Sequence, residues 1–183
     1  MDKIILTGGS KLSGKIDISG AKNAALPLMA TTLLTNEKMF LENIPRLGDV
    51  GSMRELLEGV GVEIEDLTKS SASLGLKCEK ITNTEAPYDI VRKMRASILV
   101  LGPLIARSGK ARVSLPGGCA IGNRPVDLHL NALMQMGAQI DLSRGYVEAK
   151  VKRGNRLQGS RINSVSYTHL RAHETGYNLG WRR

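Results

Sequence analysis

Residues 115–129 read Leu-Pro-Gly-Gly-Cys-Ala-Ile-Gly-Asn-Arg-Pro-Val-Asp-Leu-His, and their reading sets the fold class of the chain. Residues 112–115 ahead of them have the pattern of a β-strand. The apolar period over 125–136 predicts a helix that closes at Gly137, so the stretch is a strand-to-helix connection. Glycines at 117, 118 and 122 let this connection bend sharply, approach a ligand and move as a lid. Pro125 suits the first turn of a helix, where its missing N–H costs nothing, and Asp127 complements the positive helix end. A helix end of that kind beside Arg124 is a place for a phosphate.

Residue types alone leave two readings of Cys119 open: a small buried hydrophobe, or a thiol made useful by nearby positive charge. The flanking glycines and Arg124 favour the second. A glycine-rich turn is equally compatible with a plain connection.

Working outward, residues 3–6 and 15–19 are short β-prone stretches separated by Gly8-Gly9-Ser10 and predict a hairpin. Residues 24–34 predict a helix, which places Lys22 and Asn23 at its start, beside a possible cleft; a solvated lysine is the plainer alternative. A strand over 39–42, a turn at Asn43-Ile44-Pro45, a helix over 49–60 stopped by Gly61, and strands over 62–65 and 73–77 follow. From Pro87 a long helix is predicted through Ile90, Met94, Ile98, Leu101 and Ile105, kinked at Gly102-Pro103, with Arg92 and Arg95 on one polar face that could simply be solvated. After the glycine loop and its helix, residues 139–142 and 146–151 predict a second hairpin.

That order contains a repeat. Leu57, Val60, Gly61 and Ile64 recur at the same spacing as Leu133, Met136, Gly137 and Ile140, each set a helix ending in glycine and running into a strand. The unit is helix, strand, helix, strand, strand, which predicts an α/β fold of like units around a shared core.

Composition narrows the function classes. The chain has 183 residues and a formal charge of +9, which favours anionic partners. With one Trp, four Tyr and one Phe it supplies little for base stacking, and its basic residues are scattered, so small phosphorylated substrates are expected and nucleic acid is not. Cys78 and Cys119 cannot build a disulfide framework, no Cys/His spacing predicts a zinc site, and His169 with His173 lack a third ligand. No metal or cofactor is expected. The apolar run over 24–34 is broken by Pro27 and too short to span a bilayer, so a soluble, cytoplasmic protein without a membrane partner is expected. Residues 164–183 hold two of the three histidines and the single tryptophan but no apolar period; they read as a foreign tail that packs against nothing.

With these residues laid out, the chain resembles the enolpyruvyl transferases, in the branch acting on UDP-N-acetylglucosamine. The matching segments are Gly20-Ala21-Lys22-Asn23-Ala24-Ala25, Ala86-Pro87-Tyr88-Asp89, Met94-Arg95-Ala96-Ser97, Leu101-Gly102-Pro103-Leu104 and residues 115–128. The Pro-Gly-Gly-Cys loop separates this branch from the shikimate-pathway branch, which lacks it.

The resemblance implies two domains, each an inside-out α/β barrel of three repeated units, with the active site between them. Residues 1–21 would belong to the second domain, and residues 22–163 would form an incomplete first domain, the chain being an N-terminal fragment. The implied reaction moves the enolpyruvyl group of phosphoenolpyruvate to the 3-hydroxyl of UDP-N-acetylglucosamine with release of phosphate, the first committed step of peptidoglycan synthesis. It also implies that Cys119 is the proton donor, able to form a phosphoenolpyruvate adduct and to be alkylated by fosfomycin. Lys22, Asn23 and Arg124 would bind phosphoenolpyruvate, while Arg95, Arg124, Pro125, Val126, Asp127 and Leu128 would hold the UDP-sugar. The chain departs from the family after Ser164, where the family's Ser-Val-Gly-Ala-Thr segment is replaced, and the acidic base of the second domain is absent. A UDP-sugar-binding relative without catalysis is the alternative reading.

Overall fold

The structure is a computed structural model that describes residues 3–5, 7–9, 11, 13–68, 72–91, 94–115, 126–152 and 156–162. Two successive units repeat one topology. The first comprises α1 (Lys22–Thr31), extended by a 3₁₀ turn at Thr32–Leu34, then β1 (Met39–Leu41), α2 (Gly48–Gly59), β2 (Glu63–Asp66) and β3 (Leu74–Lys77). A short strand β4 (Glu85–Ala86), the one-turn helix α3 (Tyr88–Val91) and a 3₁₀ segment at Arg95–Val100 lead into the second. That unit is α4 (Leu101–Ser108), β5 (Lys110–Ser114), α5 (Asp127–Gln135), β6 (Ala138–Ser143) and β7 (Tyr146–Val151).

Both units order their strands first, third, second: one sheet runs β1-β3-β2, and the other β4-β5-β7-β6. Among the described residues all pairings are antiparallel except β4 with β5, whose parallel pairing is closed by the helical crossover between them. The two glycines that anchor the repeat sit where a left-handed residue is needed to turn helix into strand, at φ 106° for Gly61 and 97° for Gly137. At Gly61 a β-carbon would also lie 2.7 Å from the Lys80 carbonyl oxygen, so no other residue fits without displacement.

Helices and strands share one core. Leu26, Met29 and Leu33 from the first helical run, Met53, Leu56 and Leu57 from α2, and Leu101, Leu104 and Ile105 from α4 meet the buried strand residues Leu74, Leu76, Val113 and Val147 in one core. Each fully buried Leu contributes about 1.5–3 kcal/mol. Alternate strand residues such as Glu65, Arg112 and Glu148 form charge pairs on the opposite, more exposed side of the sheets.

Three local predictions are corrected. The described residues of 3–19 form no strand, and Ile4, Ile5, Ile16 and Ile18 are 87, 76, 90 and 84% exposed. The alternation is real, but a lone two-stranded hairpin has nothing to cover its apolar face. The long helix from Pro87 is instead interrupted: Met94 is extended at φ −149°, and the buried Ser97 hydroxyl donates to the Met94 carbonyl at 2.6 Å, a local bond that competes with the α-helical ladder. Pro103 therefore makes no kink; it stands in the first turn of α4, where a missing N–H is harmless. Finally, β4 was not foreseen in the sequence, because two residues carry no period. The tail over 164–183, with His169 and His173, lies outside the described residues.

Candidate functional site

The site is built from the start of α1. Asn43, in the left-handed conformation at φ 55°, receives a hydrogen bond from the Gly20 N–H at 3.1 Å on its Oδ1 and donates from its Nδ2 to the Ile18 carbonyl at 3.2 Å. Gly20 sits so close that an added β-carbon would fall 1.8 Å from the Asn43 carbonyl oxygen. The chain entering α1 is thus latched to the loop after β1, and that loop is held in turn by the Ile44 N–H on the Ala72 carbonyl at 2.7 Å.

Lys22 is the first residue of α1, and its ammonium Nζ pairs with Asp49 Oδ2 at 2.8 Å; Asp49 lies in the first turn of α2. Asn23 follows in the same turn. Pro27, inside α1, has no N–H to offer the Asn23 carbonyl, so the helix is opened beside the candidate residues at a cost of about 3 kcal/mol that the buried face must offset. Among the described residues this end of α1 thus gathers a cation, an amide and a carboxylate.

Arg95 is half-buried and opens the 3₁₀ segment at Arg95–Val100, which packs against α1. It stands at the start of the helical segment that leads into the second unit, as Lys22 stands at the start of α1. Arg92 lies outside the described residues, as do Cys119, Arg124 and Pro125. What is described of the glycine loop is its two ends. The Leu115 N–H donates to the Gly145 carbonyl at 2.7 Å, and Val126 caps α5, accepting from the His129 and Leu130 N–H groups at 3.0 and 3.1 Å. Asp127 is exposed in the first turn, as its expected role at a positive helix end requires, and Leu128 is half-buried. Between Lys22 and Val126, Asp127 or Leu128 there is no hydrogen bond or ion pair among the described residues.

The stem of that loop is braced. Arg112 on β5 pairs with Glu85 of β4 at 2.8 Å and Glu148 of β7 at 3.1 Å, and its guanidinium stacks 3.9 Å from the centroid of the Tyr146 ring. Tyr146 is registered opposite Ser114, next to the last described residue before the loop. The other cysteine, Cys78, is fully buried just after β3, and burial pushes its thiol up, an effect the neighbouring Arg107 guanidinium only partly offsets. It is therefore held as an unreactive thiol.

A shallow depression on the first sheet, lined by Lys38, Glu63, Ile64, Glu65, Gly75 and Lys77, includes none of these residues, and its lysines and glutamates offset one another. Among the described residues no group of three or more His, Cys, Asp or Glu could hold a metal, and no helix is long and apolar enough to cross a membrane. Sequence reasoning missed Asn43 and Asp49. The signals were an Asn opening a turn and an Asp at a helix start, neither of which says what it will touch.

Comparison with known proteins bears on this arrangement. Residues 6–168 match the EPSP synthase family, described as 3-phosphoshikimate 1-carboxyvinyltransferase. The chain is similar to the UDP-N-acetylglucosamine 1-carboxyvinyltransferases of Granulibacter bethesdensis, at 59% identity over 162 residues, and of Maricaulis maris, at 58% over 159. These alignments cover 88 and 87% of this chain but 38 and 37% of those proteins. Among solved structures, the enolpyruvyl transferase NikO from Streptomyces tendae superposes with a TM-score of 0.66 at 22% identity, over 80% of this chain and 32% of that one. An EPSP synthase from Acinetobacter baumannii superposes at 0.61 and 16% identity, over 85 and 36% of the two chains. The mixed α/β fold is thus that of about a third of an enolpyruvyl transferase.

Proposed function

The chain belongs to the EPSP synthase family, and from that premise we propose that it supplies the cysteine-loop portion of a UDP-N-acetylglucosamine enolpyruvyl transferase. In the proposed reaction a proton adds to C3 of phosphoenolpyruvate while the sugar 3-hydroxyl adds to C2. Loss of phosphate from C2 and of a proton from C3 then leaves the enol ether. Cys119 is the proton donor, Lys22, Asn23 and Arg124 hold the carboxylate and phosphate, and Arg95 with Arg124, Pro125, Val126, Asp127 and Leu128 holds the UDP-sugar.

The observation that carries this reading is the sequence over 115–128, which runs from the end of β5 into α5 in the second of two like units. The latched start of α1 and the opening of the Arg95–Val100 segment against it support the cation placements. The domain reading goes further: two inside-out barrels of three units, with residues 1–21 packing on the second domain and residues 22–163 forming an incomplete first one. The exposure of Ile4, Ile5, Ile16 and Ile18 fits an apolar strip made for that second domain. The compartment proposed is the cytoplasm, where a thiol stays reduced.

The test uses a completed enzyme in which residues 1–162 are continued by the corresponding remainder of the Granulibacter bethesdensis relative. Fosfomycin carries an epoxide; thiolate attack forms an S–C bond, breaks a C–O bond, and the released alkoxide takes a proton from water. Peptide mass spectrometry is expected to find the addition on Cys119, with Cys78 unmodified because it is fully buried. Addition on Cys78 alone, or on neither cysteine, would contradict the assignment.

A further inference from the structure

Lys22 and Asp49 stand at two helix N-termini, α1 and α2, joined at 2.8 Å. Their side chains are 44 and 35% exposed, and a pair this open contributes only about 0–1 kcal/mol to stability. Its value lies elsewhere. Asp49 is favoured where it is by the positive end of α2, so it does not swing out to meet the lysine. The backbone of Lys22 is fixed by the Asn43 latch on Gly20 and Ile18. What remains loose is the four-carbon stem of the lysine, whose rotamer freedom amounts to about 2 kcal/mol. An ammonium has three donors, and a single carboxylate oxygen engages one, leaving two for an incoming anion.

We propose that Asp49 is the positioning residue for Lys22, holding its ammonium aimed for the phosphoenolpyruvate anion. This rests on the reading that Lys22 binds phosphoenolpyruvate. In this role Asp49 acts through Lys22, its carboxylate facing the Lys22 ammonium and standing in the first turn of α2.

The first measurement uses the 183-residue chain and is independent of turnover. An amine in an ion pair must leave it before attacking an acylating reagent, so limited acetic anhydride labelling of Lys22, normalised to the exposed Lys150, is expected to rise at least threefold in Asp49→Ala. The second uses the completed enzyme. Asp49→Ala is expected to raise KM for phosphoenolpyruvate about tenfold with kcat changed less than threefold and KM for UDP-N-acetylglucosamine within twofold, a loss of uniform anion binding. Asp49→Asn, which keeps an acceptor, is expected to recover about a third of the loss, and in a Lys22→Ala background Asp49→Ala is expected to change kcat/KM less than twofold. Unchanged labelling, or a KM effect that persists without Lys22, overturns the positioning role. Absence of turnover in the unsubstituted completed enzyme overturns instead the functional reading, and the proposal that rests on it.

Discussion

Phosphate release from phosphoenolpyruvate is expected to be undetectable with the 183-residue chain and to appear in the completed enzyme, where Lys22→Ala and Cys119→Ala each lower kcat/KM by 10²-fold or more. The chain spans 38% of the length of the Granulibacter bethesdensis relative, and the proposed cleft needs a second wall. In the proposed two-domain cleft that wall excludes water and supplies the base for the sugar hydroxyl, so its absence removes both proximity and electrostatic preorganisation. Those effects supply most of a typical rate enhancement of about 10⁶-fold or more, far above the contribution of any one side chain. Within the completed site, a positioned general acid contributes roughly 10²–10⁴-fold, which sets the scale for Cys119. A fixed cation where charge develops contributes about 10²–10³-fold, which sets it for Lys22. A continuous phosphate assay with and without UDP-N-acetylglucosamine measures both. Turnover by the 183-residue chain would contradict the two-domain cleft, and a completed enzyme indifferent to Lys22→Ala would contradict the anion assignment.

Arg107→Ala is expected to lower unfolding free energy by about 2–4 kcal/mol, read from the urea midpoint at constant slope. The Arg107 guanidinium donates from Nη1 to the Leu33 and Thr35 carbonyls at 3.2 and 2.8 Å and from Nη2 to the Cys78 and Glu79 carbonyls at 2.7 and 2.8 Å. Four acceptors from the first unit thus meet one cation in the last turn of α4, in the second. The same charge also complements the negative end of α4. Removing it leaves carbonyls at the ends of the Thr32–Leu34 turn and of β3 without their charged donor, three of the four bonds being partly buried. Arg107→Lys is expected to restore less than half of the loss, because a compact ammonium cannot span four carbonyls as a planar fork does. A loss within 0.5 kcal/mol would mean that the two units are joined by apolar packing alone.

Much of the fold was legible in the sequence where period and stop signals agree. The helices at Lys22–Thr31 and Gly48–Gly59, the strand pairs that follow Gly61 and Gly137, and the helix–strand–helix–strand–strand unit all follow from apolar spacing and two left-handed glycines. What was not legible depends on partners far along the chain. Ile16 and Ile18 alternate as a strand would, yet alternation says nothing of whether a neighbouring strand exists to pair with. Ser97 and Met94 interrupt a helix whose apolar spacing continues through them, because a buried hydroxyl took the local carbonyl. Arg107 carried no signal in the sequence, yet its guanidinium gathers four carbonyls distant from it along the chain. At the site, residue pattern alone gave Lys22 as a cation before a helix and the resemblance gave it phosphoenolpyruvate as a ligand; Asn43 and Asp49, which hold the chain before it and its side chain, became visible only in three dimensions.

The family match and the relatives name different acceptors, 3-phosphoshikimate and UDP-N-acetylglucosamine, so the choice of acceptor tests the account most directly. A site built to bind one acceptor through polar and charged contacts rejects another that leaves those groups unpaired, by roughly 10⁴-fold or more. In the completed enzyme, with phosphoenolpyruvate saturating, phosphate release is expected with UDP-N-acetylglucosamine and to stay at background with 3-phosphoshikimate. Release with 3-phosphoshikimate, and none with UDP-N-acetylglucosamine, would contradict the assignment of the cysteine loop and of every UDP-sugar residue with it.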